Sequence, residues 1–282
     1  MKHNFSVSVI ITTKNEQKNI EKCLKSIKKQ SYPGKIEIVL VDNHSIDDTI
    51  KIAKKYTSKI IIAGPERSVQ RNIGAKAAKG KWLLFLDADM EASPKVISGC
   101  IKIVSKDKVP SMVAILQYYR GFNFWGRALA LEQNCYGDNI NFLTAARFFN
   151  RREFLKIGGF NPKLLAGEDW DLTQRFLDKN TRTFHLKKYV IYHNEPTSSL
   201  FELFKKEAYY IKFIHRYAKR NPSQFSKQSS ISYRMLIWIK SWRKLIRHPI
   251  LTSAFLWYKF VVWLIWQEYR IARSLNLKIL KL

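Results

Sequence analysis

Four short apolar runs mark the first third of the chain, at residues 7–12, 36–41, 59–63 and 82–86. Each has the length of a strand. The second and fourth lack polar alternation, the pattern of strands buried on both faces of a parallel sheet. Between them, Ile20, Leu24 and Ile27 recur at helical spacing until Tyr32-Pro33-Gly34 stops the run. Ser45 ahead of Asp47 and Asp48 predicts a helix with an acidic first turn that continues to Tyr56. The Ala-rich stretch 70–78 predicts another, ended by Gly80. Strand and helix in alternation predict an open, mostly parallel α/β sheet flanked by helices. Such sheets bind ligands beyond the carboxyl ends of their strands, so the polar residues after each apolar run are the first candidates for chemistry.

The last third has a different pattern. Leu200, Leu203, Phe204, Ala208, Ile211 and Ile214 recur near helical spacing, and residues 249–266 are almost wholly apolar, with Lys259 inside. The expected division is a mixed globular body over 1–199 and a basic, aromatic, helical region over 200–282, with a seam at 196–199. Composition sharpens it. Residues 200–282 hold 17 Lys+Arg against 3 Asp+Glu, half of the formal net charge of +28, and five of the eight tryptophans. Interfacial aromatics with basic residues facing anionic headgroups fit a helix lying on a membrane. A spanning helix needs about 20 apolar residues, and a lysine at mid-bilayer costs roughly 2.5–3.5 kcal/mol on insertion scales. The interfacial reading is therefore preferred to a span. The alternative use for the stretch is packing on the body or on a second subunit of a homo-oligomer.

A 46% hydrophobic share can bury a sizeable core. Three scattered cysteines, Cys23, Cys100 and Cys135, with no CxxC spacing argue against a disulfide scaffold or a zinc ribbon, and for a reducing compartment. The opening apolar stretch is short and interrupted by Ser6 and Ser8, so no signal peptide is expected. The expected location is the cytoplasmic side of the cell membrane, peripheral or monotopic. Such a basic chain implies an anionic partner, namely nucleic acid, lipid or a phosphorylated substrate. No helix-turn-helix signature, RNP motif or zinc spacing supports nucleic acid.

The first apolar run is followed by Thr12-Thr13-Lys14-Asn15-Glu16, the second by Asp42-Asn43-His44-Ser45, and the fourth by Asp87-Ala88-Asp89. Asp, Asn, Ser and Thr end strands and cap helices anyway, which is sufficient for Ser45 or Asp47 alone. It is a poorer account of Asp87 and Asp89, two carboxylates that would repel at a crowded sheet edge. A divalent cation resolves the repulsion, since Mg²⁺ or Mn²⁺ takes one or two carboxylates with phosphate oxygens and water. It would then neutralise charge on a departing diphosphate.

The segments SVIITTKNE, VLVDNHSIDDT, RNIGAKAAKGKWLLFLDADM and GGFNPKLLAGEDWDLTQRF, in that order over about residues 6–195, resemble family 2 glycosyltransferases with the GT-A fold. The resemblance implies a metal-dependent, inverting transfer from a UDP- or GDP-linked sugar. It matches Thr12, Thr13 and Glu16 to a loop that cradles base and ribose. Asp42 matches an acid that accepts a hydrogen bond from the ring N–H of uracil or guanine. Arg71, ahead of Asn72 and Gly74, matches a basic position near the nucleotide; the competing reading is an ordinary helix-surface arginine. Asp87 and Asp89 match the DxD motif, with Asp89 the metal ligand and Asp87 touching the ribose or a metal-bound water. Asp169, after Glu168, matches the general base. Glu168 and Trp170 would orient acceptor and sugar, while Asp171 is accounted for as part of a helical first turn. His193 matches a position that approaches the metal or diphosphate, and a structural histidine is the alternative.

No QxxRW motif follows the acidic segment, which favours single-sugar transfer over processive synthesis. The expected acceptor is lipid-linked or a glycan, with residues 121–138 read as a loop that contributes to its choice. A polyprenyl-phosphate sugar synthase is the alternative within the class. A catalytically silent membrane scaffold is opposed by the intact Asp87, Asp89 and Asp169.

Overall fold

The computed structural model describes residues 6–106, 111–138, 145–179, 181–195 and 199–274. The first five residues, most of the expected seam (196–198) and the side chain of Arg273 lie outside that description. The strands are β1 (Val7–Thr13), β2 (Ile36–Asp42), β3 (Ile60–Ile62), β4 (Trp82–Asp87), β5 (Met90–Ala92), β6 (Ser111–Gly121), β7 (Phe148–Asn150) and β8 (Arg182–Glu195). The helices are α1 (Ile20–Lys28), α2 (Thr49–Ala53), α3 (Arg67–Ala77), α4 (Val96–Val104), α5 (Phe124–Asp138), α6 (Arg151–Lys156), α7 (Glu168–Leu177), α8 (Leu200–Arg220), α9 (Pro222–Ser229), α10 (Ile231–Lys240), α11 (Trp242–Ile246) and α12 (Pro249–Ser274).

The sheet runs β3-β2-β1-β4-β7-β6-β8-β5. β3, β2, β1 and β4 are parallel, while β7 on β4, β6 on β7, and β5 on β8 are antiparallel. The apolar runs lack alternation because both faces of the sheet are covered. Val9, Ile11, Leu40, Leu84 and Leu86 point into one layer with Ile20, Leu24 and Ile27 of α1 and Val96, Ile97 and Cys100 of α4. Ile10, Val39, Val41, Leu83 and Phe85 point into the other, with Ala75 of α3, Phe154 of α6 and Leu172 and Phe176 of α7. Burial of each such side chain contributes about 1.5–3 kcal/mol, so these two layers hold the sheet. A Cβ on Gly74 would lie 2.6 Å from Ile10 Cγ2, which explains why the Arg71-Asn72-Ile73-Gly74 segment ends in glycine: α3 sits close on β1.

The chain divides into two units, one of Met1–Tyr118, Ile140–Lys163 and Glu168–Asn194, the other of Tyr119–Asn139, Leu164–Gly167 and Glu195–Leu282. The second takes in residues 119–139, which the expected division at 199 leaves with the body. Its core explains why: Ala128 and Leu131 of α5 pack with Phe255 of α12 and with Trp238, Leu245 and Leu251. The expected loop at 121–138 is mostly helix α5, whose start is capped by Asn123, its Oδ1 accepting from the Gly126 N–H at 2.7 Å. Helix α8 opens on a capping box between Ser199 and Glu202. The helix expected from Ser45 to Tyr56 is shorter than its pattern suggested. Asp47 and Asp48 precede α2 rather than occupying its first turn, because the Asp47 carboxylate accepts from the Thr49 and Gln17 N–H groups.

Candidate active site

Strand order reverses between β2 and β4, on either side of β1, so the carboxyl ends of these strands form a crevice edge. Register brings the polar residues together there: Thr12 lies opposite Asp87, and Thr13 opposite Asp42. Thr13 Oγ1 donates to Asp42 Oδ2 at 2.7 Å, and Ser45 donates to the same carboxylate from its N–H (2.7 Å) and its hydroxyl (2.6 Å). Asp42 is fully buried. The open acceptor expected for a base is thus a carboxylate engaged in tying the β1 and β2 loops together. These three bonds leave about one of the carboxylate's acceptor positions, on Oδ1, for a base N–H. Gln70, from α3, locks the same strand ends by donating to the carbonyls of Thr13 (3.0 Å) and Val41 (2.8 Å).

Arg71 is not a surface arginine. It is 1% exposed and forms the hub of the site. One guanidinium nitrogen donates to Asp87 Oδ1 at 2.8 Å; the other donates to Asp169 Oδ1 at 2.9 Å and Glu168 Oε1 at 3.4 Å. Arg147 runs beside it, 3.5 Å from Asp87 Oδ2 and 3.9 Å from Asp169 Oδ2. Arg67 approaches Glu168 Oε1 at 3.7 Å. Three carboxylates therefore face three guanidinium groups. Burial alone would raise the pKa of Asp87; Arg71, Arg147 and Arg67 outweigh it and hold the carboxyl well below the usual range. Burial likewise disfavours charge on Arg71, and Asp169, Asp87 and Glu168 more than offset it, keeping the cation. Glu168 is the exception: burial and then Asp169 push its pKa up against Arg71 and Arg67.

The glycine-rich turn before α7 supports the hub. The Phe160 ring lies 5.1 Å from the Arg71 guanidinium. Asn72 holds Phe160 in place by donating to its carbonyl and accepting from its N–H, both at 2.8 Å. Gly159, at φ +67°, passes so near that a Cβ would lie 2.3 Å from Asn72 Oδ1. Asp171, assigned to a helical first turn, is fully buried and pairs with Arg175 at 2.8 Å; Arg175 in turn donates to the Ile157 and Gly159 carbonyls. Trp170 is half-buried on α7.

Asp89 lies at the entry to β5. Met90 pairs with His193 across β5 and β8, which brings Asp89 Oδ2 within 3.2 Å of His193 Nε2. The other oxygen, Asp89 Oδ1, is buried and accepts no hydrogen bond. Such an orphaned acceptor fits a cation. The expected Asp87–Asp89 metal pair is different in detail: both Asp87 oxygens face guanidinium groups, so Arg71 and Arg147 relieve the mutual repulsion from the Asp87 side. Among the described residues no cluster of three or more His, Cys, Asp or Glu could hold a metal. Asp89 and His193 supply two donors, a set that suits Mg²⁺ or Mn²⁺ when phosphate oxygens and water complete the shell.

Glu16 faces this group. Burial raises its pKa above the ordinary value of 4.5, the Asn19 hydrogen bond opposes the shift, and the charges of Asp89, Asp87 and Asp47 add to it. A carboxyl whose pKa is raised by folding costs stability once it ionises; the cost is absent below the unfolded pKa and complete above the folded one. Glu16→Gln should therefore melt at a higher temperature than the parent at pH 7. The gap should close as pH falls to about 4.5. Thermal melts across that range check it, and a variant no more stable at pH 7 counts against the crowding.

Arg147 is the member that the sequence motifs missed. It is buried, at the head of the apolar β7. An arginine inside Ala145-Ala146-Arg147-Phe148-Phe149 is itself a signal, because buried arginines are nearly always paired with acids.

The model of the family described as Glycosyl transferase family 2 matches residues 8–160, more than half of the chain and most of the strand-end residues above. The chain belongs to this family. Among its relatives, the glycosyltransferase AglE of Haloferax volcanii is 29% identical over 192 residues, covering 61% of this chain and 61% of AglE. A PGL/p-HBAD biosynthesis glycosyltransferase of Mycobacterium tuberculosis is 32% identical over 177 residues, 60% of this chain and 68% of its own. The chain thus spans about three fifths of the length of the first relative. Solved structures share its fold. Staphylococcus aureus TarS 1-349 in complex with UDP-GlcNAc superposes with a TM-score of 0.53 at 19% identity, covering 83% of this chain and 79% of that one. Glucosyl-3-phosphoglycerate synthase from M. tuberculosis with Mg²⁺ and UDP gives 0.56 at 18%, covering 78% and 80%. The expected GT-A architecture, a mixed sheet with flanking helices, is the one observed.

Proposed function

We propose that the protein transfers a single sugar, with inversion, from a UDP- or GDP-linked donor to a hydroxyl of a lipid-linked or glycan acceptor, at the cytoplasmic face of an anionic membrane. The observation that carries this reading is the ion-pair cluster in which Arg71 and Arg147 each reach both Asp87 and Asp169. It joins the first acid of the DxD segment to the candidate base. Asp169 Oδ1 is committed to Arg71, while Oδ2 lies 3.9 Å from Arg147 and is the oxygen available to a proton.

The reaction balances with one carboxylate. As the acceptor oxygen bonds to the anomeric carbon, its proton passes to Asp169, and the bond from that carbon to the diphosphate oxygen breaks with its electron pair leaving on the diphosphate. A glycoside hydrolase would need a second carboxyl as acid. Here Asp89 and His193 would hold a divalent cation, which would supply charge neutralisation for the leaving diphosphate. Thr12, Thr13 and Glu16 line the edge where the nucleoside lies, Asp42 fixes that edge, and Glu168 and Trp170 flank the base on α7.

Screening UDP- and GDP-sugars by thermal shift with Mn²⁺ tests the reading, since a ligand that binds the folded state raises the melting point by mass action. One donor should stabilise the protein, the shift should vanish with EDTA, and Asp89→Ala should lose it even with Mn²⁺ present. A shift that survives EDTA removes the cation from the proposal. Product analysis then separates the two acceptor chemistries: a sugar joined directly to a lipid phosphate would replace glycan transfer with polyprenyl-phosphate sugar synthesis. Asp89 and His193 fit a cation in either case.

A further inference from the structure

Helix α12 contains a 22-residue stretch, Pro249–Arg270, long and apolar enough to cross a membrane by length and composition. Its two faces differ sharply. Ile250, Leu256, Trp257, Phe260, Trp263 and Leu264 are exposed, and their spacing of three, four and seven puts them on one stripe. The opposite face is occupied. Phe255 and Tyr258 are buried, and Tyr258 donates to Glu207 Oε1 at 3.3 Å. Lys259 Nζ lies 3.0 Å from Oε2 of Glu132 on α5, and Glu132 is fully buried, with its other oxygen accepting from Tyr136 at 2.6 Å.

The lysine that counts against insertion is therefore the fastening of α12 to its own unit. If α12 crossed a bilayer by itself, it would carry Lys259 into hydrocarbon and leave Glu132 buried without its cation. The outward stripe, by contrast, stays exposed, although the Trp257 ring also meets Trp125 and Phe204, and Phe260 stacks on Trp263. It is extended by the neighbouring helices, where Ile239, Trp242 and Ile246 are exposed, the last at 63%. Trp238 of α10 and Leu245 of α11 pack on Phe255, so all three helices share one small core beneath those residues. Lys240, Arg243 and Arg247 are exposed among them, and the Arg243 guanidinium lies 5.5 Å from the Trp242 ring.

The geometry points to the outward faces of α10, α11 and α12 as a monotopic docking surface for an anionic lipid bilayer, with α12 lying in the interface and pinned to α5 by the Lys259–Glu132 pair. Charge complementarity selects the occupant. The C-terminal 83 residues hold 17 Lys+Arg and 3 Asp+Glu, a composition that attracts phosphatidylglycerol-like headgroups and repels a second copy of itself. Exposed tryptophan and apolar side chains ringed by snorkelling cations are the interfacial pattern. This inference rests on the membrane reading given above and adds the surface and its topology to it.

The test is flotation of the full chain with vesicles of phosphatidylcholine alone or mixed with phosphatidylglycerol. Binding should require the anionic lipid and weaken with salt. The double variant Ile246→Glu/Trp257→Glu should bind on the order of tenfold or more weakly. So should Arg243→Glu/Arg247→Glu, which leaves the apolar side chains untouched, with melting temperatures near that of the parent. In the parent chain carrying His248→Cys or Glu268→Cys, positions at the two ends of α12 outside the apolar stripe, an impermeant maleimide should label both from the same side of sealed vesicles. Labelling of one end alone overturns the monotopic topology. Vesicle binding retained by both charge variants overturns this surface and leaves the membrane reading standing, whereas no binding by the parent removes both. A lipid-free dimer broken by Ile246→Glu/Trp257→Glu, without any effect on vesicle binding, assigns the face to a second copy instead and overturns the proposal.

Discussion

Asp169→Asn should lower kcat for sugar transfer by about 10²–10⁴-fold, the contribution of a positioned general base, while leaving donor affinity nearly unchanged. The reasoning starts from two adjacent acids on α7. Glu168 has the raised pKa that is useful in a base, but its side chain is only 8% exposed and its Oε1 faces both Arg71 and Arg67. Asp169 is 26% exposed, and only one of its oxygens makes a short bond to a guanidinium. An acceptor hydroxyl can reach Asp169 and is kept from Glu168, so access outweighs basicity. Asparagine preserves the size of the side chain and the acceptor for the Arg71 N–H, and removes only the capacity to take a proton. Single-turnover transfer gives the rate, and the donor-induced thermal shift gives the affinity. Glu168→Gln is the contrast, expected to retain most of the chemical step. If Asp169→Asn turns over at the parental rate and Glu168→Gln does not, the base is the buried acid and the access argument fails.

Much of this site was legible in the chain before folding, for a definite reason. Apolar runs without alternation can only be strands covered on both faces, and their carboxyl ends then share an edge whatever the loop lengths. That is why Thr12, Thr13, Asp42 and Asp87 could be grouped from position alone, and the register confirms the grouping pair by pair. Charge pairing was not legible. Nothing in the spacing of Arg71 and Asp169, 98 residues apart, indicates that they meet, and the distance has to be closed by the Gly158-Gly159 turn and the Asn72–Phe160 clamp. Asp42 shows the opposite limit. Its type and place suggested an open acceptor, but the hydroxyls of Thr13 and Ser45 compete for it locally, and a carboxylate surrounded by donors closes on them. In the tail, pattern gave helices and an apolar stretch, and the ion pair between Lys259 and Glu132, 127 residues apart, decides how that stretch is held.

Arg71→Met should destabilise the protein by about 3–5 kcal/mol, because removing one partner of a buried ion pair strands the others. For a chain of this size that corresponds to a loss on the order of 10 °C in melting temperature. Methionine fills much of the space and keeps the contact with the Phe160 ring, so the loss reports charge rather than a cavity. Arg147 and Arg67 remain, but Arg147 stands 3.5 Å from Asp87 and 3.9 Å from Asp169, and Arg67 is half exposed. Neither replaces two hydrogen bonds under 3 Å. The dependence on pH distinguishes this from general loosening. In the parent, Asp87 has a depressed pKa, so its contribution to stability is present above its unfolded pKa and is lost only as pH falls towards the folded value. Without Arg71, Asp87 loses the largest of the charges that hold its pKa down, and Glu168, already raised, loses the largest of those that oppose its rise, so their ionisation costs more at neutral pH and the cost is relieved by protonation. The gap between parent and variant should therefore narrow on acidification from pH 7 to 5. Arg71→Lys should fall between the two, keeping a cation but losing the planar fork that serves Asp87 and Asp169 at once. Urea unfolding at both pH values measures the gap. A constant gap would mean that Arg71 contributes packing alone, and equal stability at pH 7 would mean that the three acids are solvated without it.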